Sequence, residues 1–173
     1  MKKIHLFIAA ISLIAMAAGS NVNAQTTKNI SFLTDVKTME KVVALSEPFG
    51  AINSRAMRDF KRSYPDVDDA QWYSFKDGFA AKFNDEGTEH MVTYNRIGDW
   101  QYTISNYDEK KLPESVRAIV KSTYYDYTIS LVQEINMHTQ TIYLIHMQDA
   151  STWKTLKIAD GEMSILEDFN KSN

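Results

Sequence analysis

Ile52-Asn53-Ser54-Arg55-Ala56-Met57-Arg58-Asp59-Phe60-Lys61-Arg62-Ser63-Tyr64 decides the fold, because the chain returns to this pattern at Leu112 to Tyr124. Ile52, Ala56, Phe60 and Tyr64 stand four residues apart, the spacing of one helical stripe. Met57 lies beside that stripe, and Arg55, Arg58, Asp59 and Arg62 occupy the opposite side. In the second segment the stripe is Leu112, Val116, Ile119, Val120 and Tyr124, aligned with the first at an offset of 60 without a gap. Pro65 stops the first helix, since proline cannot supply the next amide donor. Leu112-Pro113-Glu114 opens the second, with a proline and an acid where the orphan amides of a first turn favour them.

Short apolar stretches follow each helix. After the first, strands are expected at 70–75, 79–83, 89–95 and 100–105, separated by Asp77-Gly78, Asp85-Glu86-Gly87 and Gly98-Asp99. After the second they fall at 127–136, 140–148, 152–158 and 162–166, with breaks near Met137-His138, Asp149-Ala150-Ser151 and Asp160-Gly161. Phe79, Ala81 and Phe83 alternate with Ala80 and Lys82, the period of a sheet buried on one side. That stretch matches Tyr143–Met147 at an offset of 64, and Gly98 matches Gly161 at 63. The reading is an α+β fold of tandem α-β4 repeats, 52–111 and 112–168, with residues 169–173 as a tail. One helix can cover one face of its hairpins, so the repeats should share an antiparallel sheet with both helices on one face. The other face would be left for a partner.

The front of the chain addresses it for export. Lys2 and Lys3 precede an apolar run from Ile4 to Ala18, and Val22-Asn23-Ala24 places small residues where a signal peptidase reads. Residues 1–24 therefore read as a signal peptide cleaved near Ala24; the apolar run is shorter than a spanning helix of roughly 20 residues. Residues 25–51 form a lead-in, in which Val36, Met39 and Val43 give a helical spacing over 35–45 before Pro48 and Gly50. Losing Lys2 and Lys3 takes the formal charge from −3 to −5, the wrong sign for a nucleic-acid partner. The chain has no cysteine, which closes disulfide, thiol and metal–thiolate chemistry.

Several pieces together resemble the PepSY-like secreted proteins of the Bacteroidetes, a family related to the β-lactamase-inhibitor-protein fold. They are Phe60-Lys61-Arg62-Ser63-Tyr64-Pro65, Trp72, the Phe79–Phe83 strand, Val92-Thr93-Tyr94 running to Gly98, Leu112-Pro113, and Asp160-Gly161. The similarity spans roughly residues 50–168. It implies a tandem α-β4 fold, export, and a binding or inhibitory role without established catalysis.

No catalytic signature competes with that. His90, His138 and His146 form neither an HExxH motif nor a closely spaced ligand pair, so no metal or cofactor is expected. Asp66-Val67-Asp68-Asp69 lacks the glycine and distal glutamate of a calcium loop and reads as a solvated connection. No serine sits in a G-x-S-x-G elbow, and the six methionines beyond residue 24 read as core filler. Phe60, Tyr64, Trp72, Phe83 and Tyr94 take inward positions. Tyr73 and Phe75, out of phase with Trp72, should share the free face with Lys82, Thr93, Leu144, His146 and Lys157. Aromatic side chains among long polar ones suit protein recognition. The expectation is thus an exported, periplasmic or secreted, non-enzymatic protein that binds an extracytoplasmic protein or peptide, possible inhibition included. Alternatives are a small-ligand carrier with a pocket between sheet and helices, and a hydrolase betrayed by convergent carboxylates or a Ser–His pair in a cleft.

Overall fold

The computed structural model describes residues 52–172 and, within the lead-in, Lys37, which is helical. The signal peptide, its cleavage point and the remainder of the 35–45 helix lie outside the described residues. Among residues 52–172, two helices, α1 (Ser54–Ser63) and α2 (Glu114–Thr123), accompany eight strands. The strands are β1 (Gln71–Phe75), β2 (Gly78–Asp85), β3 (Thr88–Asn95), β4 (Trp100–Tyr107), β5 (Thr128–Met137), β6 (Thr141–Gln148), β7 (Thr152–Ala159) and β8 (Glu162–Asn170). They form one antiparallel sheet in sequence order. A 3₁₀ turn (Glu109–Lys111) precedes α2. No helix among the described residues is long and apolar enough to cross a membrane.

Local chemistry explains the helix ends. The Asn53 side chain accepts the Arg55 amide hydrogen at 2.8 Å, satisfying an orphan donor of the first turn of α1. Lys61 and Arg62 then sit near its negative C-terminal pole. Pro113 caps α2 without a side-chain bond, leaving Glu114 to face the positive pole. Both helices close alike: Tyr64 donates to the Phe60 carbonyl and Tyr124 to that of Val120.

The hairpin turns use left-handed residues at Glu86-Gly87 and Asp160-Gly161, two-residue connections whose twist matches that of the strands. Asp149 fixes the β6–β7 turn differently. Its Oδ1 accepts from the Ser151 and Thr152 amides at 2.7 and 2.6 Å, and these bonds hold its carboxyl well below the usual carboxylate range. A folded-state pKa below the unfolded one stabilises the protein above the unfolded value of about 3.9, and that stability fades as pH falls below it. Asp149→Asn should therefore lower Tm at pH 7 and flatten the decline between pH 5 and 2. Parallel Tm–pH curves for the two proteins would refute this.

Each helix covers its own part of one sheet face. Ala56 and Phe60 of α1 pack on Ala81, Phe83, Val92 and Tyr94, with Tyr64 and Trp72 beside them. Val116 and Val120 of α2 pack with Leu112 on Ile129, Val132, Ile145, Met147, Leu156 and Ile158. The expected core aromatics are thus where the stripe put them. The helix-free face departs from expectation. Its central rows, including Ala80, Met91, Thr93, Ile104, Ile135, Ile142 and Leu144, are buried. Met91-Val92-Thr93-Tyr94 is buried at every position, so β3 lacks the alternation that Phe79–Phe83 suggested. Strands covered on both sides read as continuous apolar runs.

The β5–β6 hairpin also reaches further than β1–β2. The latter closes at the Phe75–Gly78 pair, whereas Asn136 pairs with Thr141 beyond the Ile135–Ile142 pair. The added length lies at the hairpin tip, and it brings His138 against the Trp100 ring, centroids 4.5 Å apart.

Candidate functional site

The six residues proposed for partner binding do share the helix-free face by register, but not one exposed surface. Leu144 is 1% exposed and belongs to the interior, because its neighbours on that face are themselves covered. Tyr73, Phe75, Lys82, His146 and Lys157 are partly exposed and spread from one sheet edge toward the other. Lys82 pairs with Glu89 at 2.7 Å. Thr93, also placed on this face, is buried with an unpartnered hydroxyl.

What the face does expose is a corner on β5–β8. Trp153 and Phe169 oppose each other across β7 and β8 and are 45% and 60% exposed. Leu131, 39% exposed, pairs with His146 on β6. Thr155 links this row, donating to Glu167 at 2.8 Å and lying 3.2 Å from His146 Nδ1. The Lys171 ammonium sits 4.7 Å from the Trp153 ring centroid, anchored on Gln148 and the Asp149 carbonyl. Large apolar side chains flanked by satisfied polar ones are the composition that protein-binding surfaces favour. Sequence reasoning missed it because β8 was ended at 166, which left Phe169 in the tail.

A second concavity lies on the helix face. Between the areas covered by α1 and α2, the meeting strands β4 and β5 carry Thr103, Ser105, Glu134 and Asn136 where the flanking cores are apolar. They floor a cleft of about 780 Å³ whose walls include Asp59, Tyr64, Tyr94, Trp100 and His138. His90, Ser105 and Glu134 are register partners on three adjacent strands. His90 Nδ1 lies 2.9 Å from Ser105 Oγ, and Tyr107 donates to Glu134 Oε2 at 2.5 Å. Burial lowers the His90 pKa, with Lys111 acting the same way and Asp85 and Glu134 opposing. The imidazole stacks on Phe83 at 4.9 Å.

A Ser–His pair in a cleft is the feature the hydrolase alternative called for, and its setting differs from that of a typical activated serine. Ser105 sits inside a strand paired on both sides, where backbone amides serve the sheet ladder and none is left as an oxyanion donor. Glu134 accepts from Tyr107 through one oxygen, and among the described residues no hydrogen bond joins it to the imidazole. Among the described residues no three His, Asp or Glu side chains gather as metal ligands.

Comparison with solved structures places this architecture. A BLIP-like protein from Bacteroides fragilis superposes with a TM-score of 0.57 at 16% identity, covering 72% of this chain and 90% of that one. A DUF2874 family protein from Bacteroides ovatus gives 0.57 at 20% identity, with 70% and 89% covered. The fold is BLIP-like. A protein from Bacteroides eggerthii, provisionally assigned to the periplasm, gives 0.56 at 17% identity, with 70% and 90% covered. No protein-family description matches the sequence, and no curated protein does. Identities this low carry the BLIP-like fold and nothing finer, so function rests on the surfaces just described.

Proposed function

We propose that this is an exported, non-enzymatic binding protein that recognises an extracytoplasmic protein or peptide through the exposed corner of its helix-free face. The observation that carries the reading is the Trp153–Phe169 pair, two large rings left in solvent on adjacent strands. Export follows from the signal-peptide pattern of residues 1–24, and the periplasmic description of the B. eggerthii protein agrees with it. An inhibitory mode is suggested by the BLIP-like description of the B. fragilis protein and the PepSY-like motifs. We also read α1–β4 and α2–β8 as copies of one unit. Supporting this are the offset of 60 between helices and of 64 between the core pairs Ala81/Ile145 and Val92/Leu156.

The test is capture from envelope extract with the cleaved protein as bait, comparing wild type with Trp153→Ala/Phe169→Ala. Exposed positions tolerate such changes, so Tm should move little. Anchor rings contribute on the order of 2 kcal/mol each, and the double variant should lose a wild-type partner by at least a hundredfold in affinity. Tyr73→Ala/Phe75→Ala, at the other end of the face, should retain it. Undiminished capture by the Trp153/Phe169 variant would remove the corner from the function.

A further inference from the structure

The cleft on the helix face holds groups that the fold does not use. Among the described residues its lining includes three carboxylates, Asp59, Asp99 and Glu134, and no lysine or arginine. Two of these are neutralised from outside the lining: Asp59 pairs with Arg62, and Asp99 with Arg55 at 2.5 Å. Glu134 has no such partner among the described residues. The Tyr107 hydroxyl donates to one of its oxygens, and no donor among the described residues reaches the other. A half-buried carboxylate without a cation costs stability unless something else completes it.

A second polar group points the same way. Tyr94 is 1% exposed and lines the cleft, yet its hydroxyl makes no hydrogen bond of normal geometry. Burial raises its pKa, the nearby Asp59 carboxylate that the hydroxyl faces adds to the shift, and the phenol stays protonated with its oxygen left to accept. At one end, Trp100 turns its indole N–H to Thr103 at 3.0 Å, which fixes the ring beside His138. An oriented indole, amide and hydroxyl acceptors from Asn136, Ser105 and Thr103, and an unpaired carboxylate suit one kind of guest. That guest is a cation with several hydrogens to donate.

We propose that the cleft between α1 and strands β4 and β5 binds an ammonium or guanidinium group, with Glu134 as its counter-ion. The group could belong to a free small amine or to a basic side chain of a peptide, and the shared chemistry is what the site reads. This site lies on the face opposite the Trp153–Phe169 corner, so either can exist without the other.

Isothermal titration of the cleaved protein with arginine amide, acetyl-Gly-Arg-Gly-amide and the uncharged acetyl-Gly-citrulline-Gly-amide tests it. Arginine amide binding alone identifies a free amine as the guest; comparable or tighter peptide binding identifies a basic side chain. Acetyl-Gly-citrulline-Gly-amide, which replaces the guanidinium by an uncharged urea and has no free amine, should bind at least tenfold more weakly than the charged probe that binds best. Glu134→Gln should weaken the cationic probes by about tenfold or more, the loss of one charge-assisted contact, and Glu134→Asp should restore part of it. Circular dichroism and Tm establish that both variants fold. If Glu134→Gln fails to fold, backbone amide shifts of the wild type on titration stand in for it, and they should cluster at Ser105, Glu134 and Asn136. The proposal is overturned if neither cationic probe saturates, if the uncharged citrulline peptide binds as well as the charged probes, if a folded Glu134→Gln binds as well as wild type, or if the shifts fall elsewhere.

Discussion

Gly78→Ala is expected to give a protein that folds poorly or not at all, although alanine is the smallest change available. A methyl group on residue 78 would sit 1.9 Å from the Tyr94 carbonyl oxygen and 3.0 Å from Asn95 Cα, both backbone atoms. Gly78 pairs with Asn95 across β2 and β3, so relief requires separating two strands at the start of their ladder. Overpacking of this kind costs about 3 kcal/mol or more, since no flexible side chain can yield. Gly161→Ala is the control. Gly161 has a φ of +78° and nothing within 4 Å of an added methyl, so only the left-handed backbone is penalised, by roughly 1 kcal/mol. Urea denaturation of both variants measures the difference. Equal midpoints would mean that the β2–β3 approach is looser than described.

Phe60→Ala should be nearly as damaging. Phe60 is the centre of an aromatic group, with ring centroids 5.1 Å from Tyr64, 5.3 Å from Trp72 and 5.5 Å from Phe83. Two of the three contacts are edge-on, which adds an electrostatic gain to the buried area. Removing the ring leaves a void that three rigid neighbours cannot close, and the cost should be about 3–5 kcal/mol. Phe60→Leu should recover much of that. Val120 occupies the matching place on α2 but removes far less volume on truncation, so Val120→Ala should cost clearly less. Equal losses at the two positions would show that the aromatic group contributes no more than an aliphatic core.

How far these features were legible depends on whether their cause is local. The element order could be read because turn residues and helical stripes act within a few positions: Asp160-Gly161 announces its hairpin, and Phe60 and Tyr64 announce their helix face. The burial of the helix-free face was illegible from Phe79–Phe83 alone, because Ala80 and Lys82 imitate a solvated side. The warning stood in Met91–Tyr94, four consecutive residues with no polar break except Thr93. Leu144 was misplaced for the same reason, by a correct register combined with a wrong view of what covers the face. Trp153 and Phe169 stand opposite each other only because β8 continues past Glu167-Asp168, and Asp168 is stabilised there by Lys154 at 2.5 Å. The cleft could not be anticipated at all. His90, Ser105 and Glu134 are separated along the chain and converge through lateral register across three strands, which no periodicity encodes.

The sequential order of the strands also sets a timetable for assembly. Within β1–β4 and within β5–β8, each strand meets the next across a short turn, whereas β4 meets β5 only after residues 108–127 have looped around. Closing a longer loop costs more entropy, so the hairpins of each quartet should zip early and the central ladder should form last. The same ladder is then the natural place for partial opening under native conditions. Ser105 and Glu134 face each other across that ladder, one from each quartet. A guest held between them is therefore a clasp on the last joint to close, and its arrival should be felt first as slower amide exchange along β4 and β5.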